Sequence, residues 1–169
     1  MEAKYMVPFR LNMKTQDSEQ TALFDIPAPL HNPGGKTMLP LPPEIRGGWI
    51  ISPDEKYRYE LIREWDKSLP VLMMVGMNPS TANPKFDDPT LYKGRRYAIS
   101  WGFGSLHMGN AFAYRVTDQK RLMEVSDPIG PENNKHLLAM AERADLILLA
   151  YGLPHPSLRY RGLQAARML

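Results

Sequence analysis

The chain has 169 residues, 43% of them apolar, enough for one domain with a buried core. It holds no cysteine, which excludes a disulfide framework and a thiolate metal site and fits a reducing, cytoplasmic setting. The net charge of +3 is only mildly basic, and no apolar stretch is long enough to span a bilayer, so no membrane partner is expected.

Residues 1–46 carry seven prolines, Pro8, Pro27, Pro29, Pro33, Pro40, Pro42 and Pro43, with Gly34-Gly35 between them. Proline at this density breaks helices and central strands alike, so the segment reads as an extended arm. The α/β domain is expected over 47–169. Trp49-Ile50-Ile51-Ser52 reads as a strand, Pro53–Lys56 as a turn, and Tyr57–Ile62 as a second strand, giving an N-terminal hairpin with one aromatic face. Val71–Val75 is a continuous apolar run ended by Gly76, Asn78 and Pro79, the pattern of a central parallel strand buried on both sides.

Asp88-Pro89 opens a helix running to about Trp101, because Asp accepts a hydrogen bond from a free first-turn amide and proline suits the first helical position. Gly102 would end it. Leu106–Ala113 is the next strand. Gly130-Pro131-Glu132 opens a helix with Leu137, Leu138, Ala141 and Ala144 on one side, and Asp145–Ala150 is a third apolar strand. Pro156-Ser157 starts a last helix. Strands alternating with helices predict a three-layer α/β/α domain.

In such sheets ligands sit beyond the carboxyl ends of the strands, which singles out Asn78, Pro79, Ser80 and Thr81. The Asn78 amide can hold a water or a ligand carbonyl, or Asn-Pro can be a plain turn. Asp87 and Asp88, with Thr90 beside them, can orient water or bind a cation. Equally, Asp88 can cap the helix and Asp87 can favour its positive end. Asn110 lies inside an apolar strand, where a buried amide needs a partner, from the protein or from a base edge. Arg96 and Arg115 suit a phosphate or carboxylate, within a basic run from Lys85 to Arg121 that is equally readable as a solvated face. His155, after the third apolar strand, is the best acid–base candidate among four histidines. No metal-ligand spacing, dinucleotide fingerprint or phosphate loop is present, so neither a metal nor a cofactor is expected.

Several blocks together resemble a phage and bacterial family of unknown function, domain of unknown function 1643. They are Tyr57–Leu61, Met77–Ala82, Asp87–Thr90, Trp101–Gly104, Asn110–Arg115 and Asp127–Asn133, and the resemblance runs from about Gly48 to Leu169. More distantly, Gly76-Met77-Asn78-Pro79, Asn110-Ala111-Phe112 and Leu148–Gly152 are similar to segments of the uracil-DNA glycosylase superfamily. That resemblance implies a mainly parallel central sheet and metal-free cleavage of an N-glycosidic bond on a flipped base. Asn78 would place the water and Asn110 would read the base. Pro154-His155-Pro156-Ser157 has the letters of the superfamily's second motif but follows the third strand directly. The chain stops before the further strand that the resemblance implies, so either it is naturally short or it lacks its last strand; the true counterpart of that histidine is then missing and His155 a coincidence. The expectation is a nucleic-acid-related protein, either a glycosylase-like hydrolase or a non-catalytic module binding a nucleobase, nucleotide or DNA.

Overall fold

The computed structural model describes residues 38–169 throughout and, before them, only the strand backbones of Met6–Pro8 (β1), Leu30–His31 (β2) and Thr37. The rest of the expected arm lies outside the described residues. Thr37–Pro40 (β3) pairs antiparallel with β2 and with Phe86–Asp87, so part of the region before residue 47 is strand.

The hairpin forms as Arg46–Ile51 (β4) and Arg58–Glu64 (β5), turning where Glu55 adopts a positive φ of 57°. It does not stand apart from the domain. Val71–Gly76 (β6) is flanked by two parallel partners, and β5 joins the same sheet antiparallel to Ser105–Asn110. Phe86–Asp87 (β7) ends the loop after β6. Pro89–Ser100 (α1) then starts as expected, with the Asp88 side chain accepting from Leu91 N at 2.9 Å. Ser105–Asn110 (β8) ends earlier than the apolar run that continues to Ala113. Asn133–Arg143 (α2), Leu146–Leu149 (β9) and Arg159–Met168 (α3) complete the chain. The main sheet is mixed and six-stranded, in the order β1-β9-β6-β8-β5-β4.

The β6 side chains divide between two cores. Leu72 and Met74 pack with Leu106, Met108 and the α1 residues Leu91 and Ala98. Met73 and Val75 pack with Ile147 and the α2 residues Leu137 and Met140. Alternate residues of a strand point to opposite faces, so α1 and α2 cover opposite sides of the sheet. Each such fully buried side chain stabilises the fold by about 1.5–3 kcal/mol. Leu138, expected on the inner side of α2, is exposed, because the helix meets the sheet through Leu137, Met140 and Ala144.

The hairpin departs from simple alternation. Ile50 pairs with Glu60 but Ile51 pairs with Arg58, leaving Tyr59 as an extra residue in β5. This bulge breaks the expected alternation: Tyr57 and Tyr59 stay stacked at 6.2 Å, but Leu61 no longer shares their face. Leu61 enters the α1 core, whereas Tyr59 stacks on His136 of α2 at 4.8 Å. Arg58, one residue beyond the bulge, is thereby turned back to the α1 side, where it meets Asn110. Bulges beside sites commonly re-aim a side chain in this way.

Glu60 also faces α2. Its side chain is only 2% exposed, 3.0 Å from His107 Nδ1 and 2.8 Å from Arg143 Nη2. Burial alone would raise its carboxyl, but the close His107 and the Arg143 charge hold it below the ordinary value. A depressed folded value means stability that is present above the unfolded pKa of about 4.3 and is lost as pH falls through the folded one. Denaturant midpoints are therefore expected to separate wild type from Glu60→Gln at pH 7, with the gap closing as pH falls through the folded value. A gap that stays constant with pH would show that the Glu60 charge contributes nothing.

Candidate functional site

β6 and β8 are adjacent and parallel, but their onward connections leave by opposite faces, through α1 and through α2. Such a divergence opens a crevice beyond the carboxyl ends of the two strands. A cleft of about 180 Å³ lies there, bordered by Arg58, Asn78, Asp88, Thr90, Asn110 and Tyr151. It is smaller than the roughly 300–1,000 Å³ of sites that hold drug-sized ligands.

Asn110 is the last residue of β8, opposite Gly76 of β6, and is 1% exposed. Its backbone is clamped from behind. Asn133 Nδ2 donates to the carbonyls of Asn110 and Ala111 at 3.0 and 3.1 Å, and Arg161 Nε donates to Ala111 O at 2.7 Å. Arg58 Nη2 donates to Asn110 Oδ1 at 3.3 Å, leaving the amide nitrogen Nδ2 buried without a partner. Space for that amide depends on a missing side chain. A Cβ on Gly76 would sit 2.8 Å from Asn110 Nδ2 and 2.5 Å from Met108 Cε.

Asn78 is oriented the other way. Its Nδ2 donates to Val116 O at 2.6 Å and to Pro79 O at 3.2 Å, so its amide oxygen is the uncommitted end. Asp88 spends one oxygen on the α1 cap, and its second has no partner among the described residues. The cleft therefore carries an amide donor on Asn110 and oxygen acceptors on Asn78 and Asp88. Ser80 lines it as well, with a buried hydroxyl lacking a partner, and so does the exposed Thr90. Tyr151 supplies an aromatic wall. Its hydroxyl donates to Gly162 O at 2.9 Å, and burial raises its pKa.

The other residues singled out in the sequence stand elsewhere. Asp87 is fully buried between Arg63 and Arg95, at 2.8 and 3.0 Å, and does not line the cleft. Thr81, half-buried, has an unpartnered hydroxyl and does not border the cleft; Pro79 accepts from Asn78 and Val116. Arg96 is exposed, with its guanidinium over the Tyr92 ring. Arg115 lies over Trp49, its Nη1 donating to Glu55 O at 3.0 Å. His155 accepts from Ser157 N through Nδ1 at 3.3 Å, starting the short turn Pro156–Leu158. Among the described residues no group of three or more His, Asp or Glu is arranged to hold a metal ion.

Arg58 is the residue that sequence reasoning passed over. It is 3% exposed, lines the cleft and also donates to Ala82 O at 2.9 Å. Burial pushes its guanidinium down to about 10, opposed by the Asp88 charge and aided by repulsion from Arg115 and Arg63. Nothing in the sequence singles it out, because Glu60, Arg63 and Glu64 lie in the same strand and make Arg58 one charge among four.

Residues 58–169, well over half of the chain, match the family model described as protein of unknown function, DUF1643. No curated protein and no solved structure matches the chain.

Proposed function

The chain belongs to the DUF1643 family, and from the chemistry of its cleft we propose that it binds a nucleobase and hydrolyses an N-glycosidic bond in a nucleotide or in DNA. The observation that carries this reading is the buried Asn110 amide. Arg58 occupies its oxygen, so its NH₂ group is left to meet a ligand carbonyl. The small volume suits a single heterocycle, and Tyr151 offers a ring face for it. Helices on both faces of the sheet, and an asparagine directly after the central strand, support a uracil-DNA-glycosylase-like three-layer arrangement as the finer reading of the fold.

In this proposal a water donates to Asn78 Oδ1 and to the free oxygen of Asp88. Its own oxygen attacks the anomeric carbon. The new C–O bond forms as the C–N bond breaks, and the base departs with the bonding pair while Asn110 donates to its carbonyl. The water proton passes to Asp88. Positioned acid–base groups of this kind contribute about 10²–10⁴-fold.

The test is release of free base from uracil- or modified-pyrimidine-containing nucleotides and from single- and double-stranded DNA. Asn78→Ala is expected to lower the rate by about 10²-fold or more while leaving the fold intact. Wild type and Asn78→Ala equally inert on every substrate would end the enzymatic reading. Salt-sensitive binding without turnover would then identify a non-catalytic module, since phosphate contacts release counterions.

A further inference from the structure

Arg58 carries a charge that the surrounding fold does not cancel. Its contacts are an amide oxygen and a backbone carbonyl, and its Nε is buried without a partner. Among the described residues no carboxylate forms an ion pair with it within 4.0 Å. Asp88 acts on it only from farther away, and one Asp88 oxygen is already committed to the α1 cap. The nearby arginines add to the imbalance. Arg63 and Arg95 share the single carboxylate of Asp87, so that cluster keeps an excess positive charge. Arg115, which repels Arg58, pairs among the described residues with the exposed carboxylate of Glu55 at 3.6 Å.

A buried cation without a counter-ion is strongly unfavourable, and residues of this kind concentrate where a ligand completes them. The unpartnered Nε of Arg58 and the unpartnered Nδ2 of Asn110 belong to two side chains already joined by a hydrogen bond, and both border the cleft. Together they form an uncommitted pair of N–H donors, one of them charged.

We propose that the cleft takes a small planar anion, with oxygen atoms against Arg58 Nε and Asn110 Nδ2. This deepens the nucleobase reading and rests on it for the identity of the ligand, which becomes a heterocycle bound best in its deprotonated form. The anion contact itself rests only on the two donors and on the absent counter-ion. Charge-assisted hydrogen bonds are about twice as strong as neutral ones, so the anionic form of one ring shape gains most from Arg58.

The experiment follows the Arg58 Nε–H and Asn110 side-chain amide resonances of the full chain by NMR. Sodium formate, uracil and barbiturate, which is anionic at neutral pH, are titrated in turn, with chloride holding the ionic strength constant. Formate and barbiturate are expected to move both resonances, and barbiturate to bind about tenfold or more tighter than uracil. That preference should vanish in Arg58→Gln. Barbiturate binding no tighter than uracil, or a preference that survives in Arg58→Gln, overturns the proposal while leaving the nucleobase reading standing. Formate shifting both resonances when neither ring binds sinks the nucleobase reading and keeps the anion contact. No shift with any of the three sinks both. Should Arg58→Gln fail to fold, the wild-type resonances still decide, because they report on the two contact atoms directly.

Discussion

Replacing Asp87 by asparagine is expected to destabilise the protein by about 3–5 kcal/mol, the range for removing one partner of a buried ion pair. Asp87 is 0% exposed and receives Arg63 Nε at 2.8 Å and Arg95 Nε at 3.0 Å, one on each oxygen. Asparagine keeps the shape but removes the charge, leaving two buried guanidiniums without the carboxylate that pairs with both. For a chain of this length the loss corresponds to a melting point lower by roughly 6–20 °C. The damage should also reach the cleft. Arg63 Nη2 donates to Asn83 O at 2.7 Å and Phe86 O at 3.0 Å, holding the loop that delivers Asp88 and the start of α1. A control separates charge from packing: replacing Arg63, Asp87 and Arg95 together by apolar residues of similar volume should recover much of the loss. If Asp87→Asn melts within a degree or two of wild type, the triad holds nothing in place. If the apolar triple variant is no better than Asp87→Asn, the hydrogen bonds of Arg63 to the loop matter more than the ion pair.

That triad shows where the sequence stops being readable. Local physics was legible. The Val71–Val75 run has no polar face because Met73 and Val75 feed one core while Leu72 and Met74 feed the other. Asp88-Pro89 marks the start of α1 because a cap needs only residues three apart. The bond between Arg63 and Asp87 spans 24 positions in sequence, and no periodicity announces a pair formed by tertiary folding. The alternation of Tyr57, Tyr59 and Leu61 misled for a related reason. Strand parity is fixed by the partner strand, and the bulge at Tyr59 becomes visible only when Ile50 and Ile51 are matched to Glu60 and Arg58. The candidate site divides along the same line. Asn78, Asp88 and Asn110 were findable because a strand end or a helix start places each of them. Arg58 arrives at the cleft from the far end of a hairpin, through a register shift.

Asn110→Asp should separate recognition from stability by moving them in opposite directions. In the wild type Arg58 Nη2 reaches Asn110 Oδ1 at 3.3 Å, longer than the about 2.7–2.9 Å of a charge-assisted contact, and Nδ2 has no partner. The carboxylate occupies the same space. It supplies Arg58 with the missing counter-ion and replaces an orphaned donor by an acceptor. The ion pair with Arg58 favours the folded state and offsets the burial of the carboxylate, so the melting point should hold or rise. Ligand binding should suffer for the same reason, because an oxygen now faces the ligand carbonyl and the positive charge is already satisfied. Base release is expected to fall by about 10²–10³-fold, the usual effect of removing one donor aimed at developing charge, and the affinity for barbiturate should fall with it. Were Asn110 a structural residue only, the substitution would change stability without touching either readout. Were Arg58 already neutralised in the wild type, the added carboxylate would be an unpaired buried charge and the melting point would drop by several degrees.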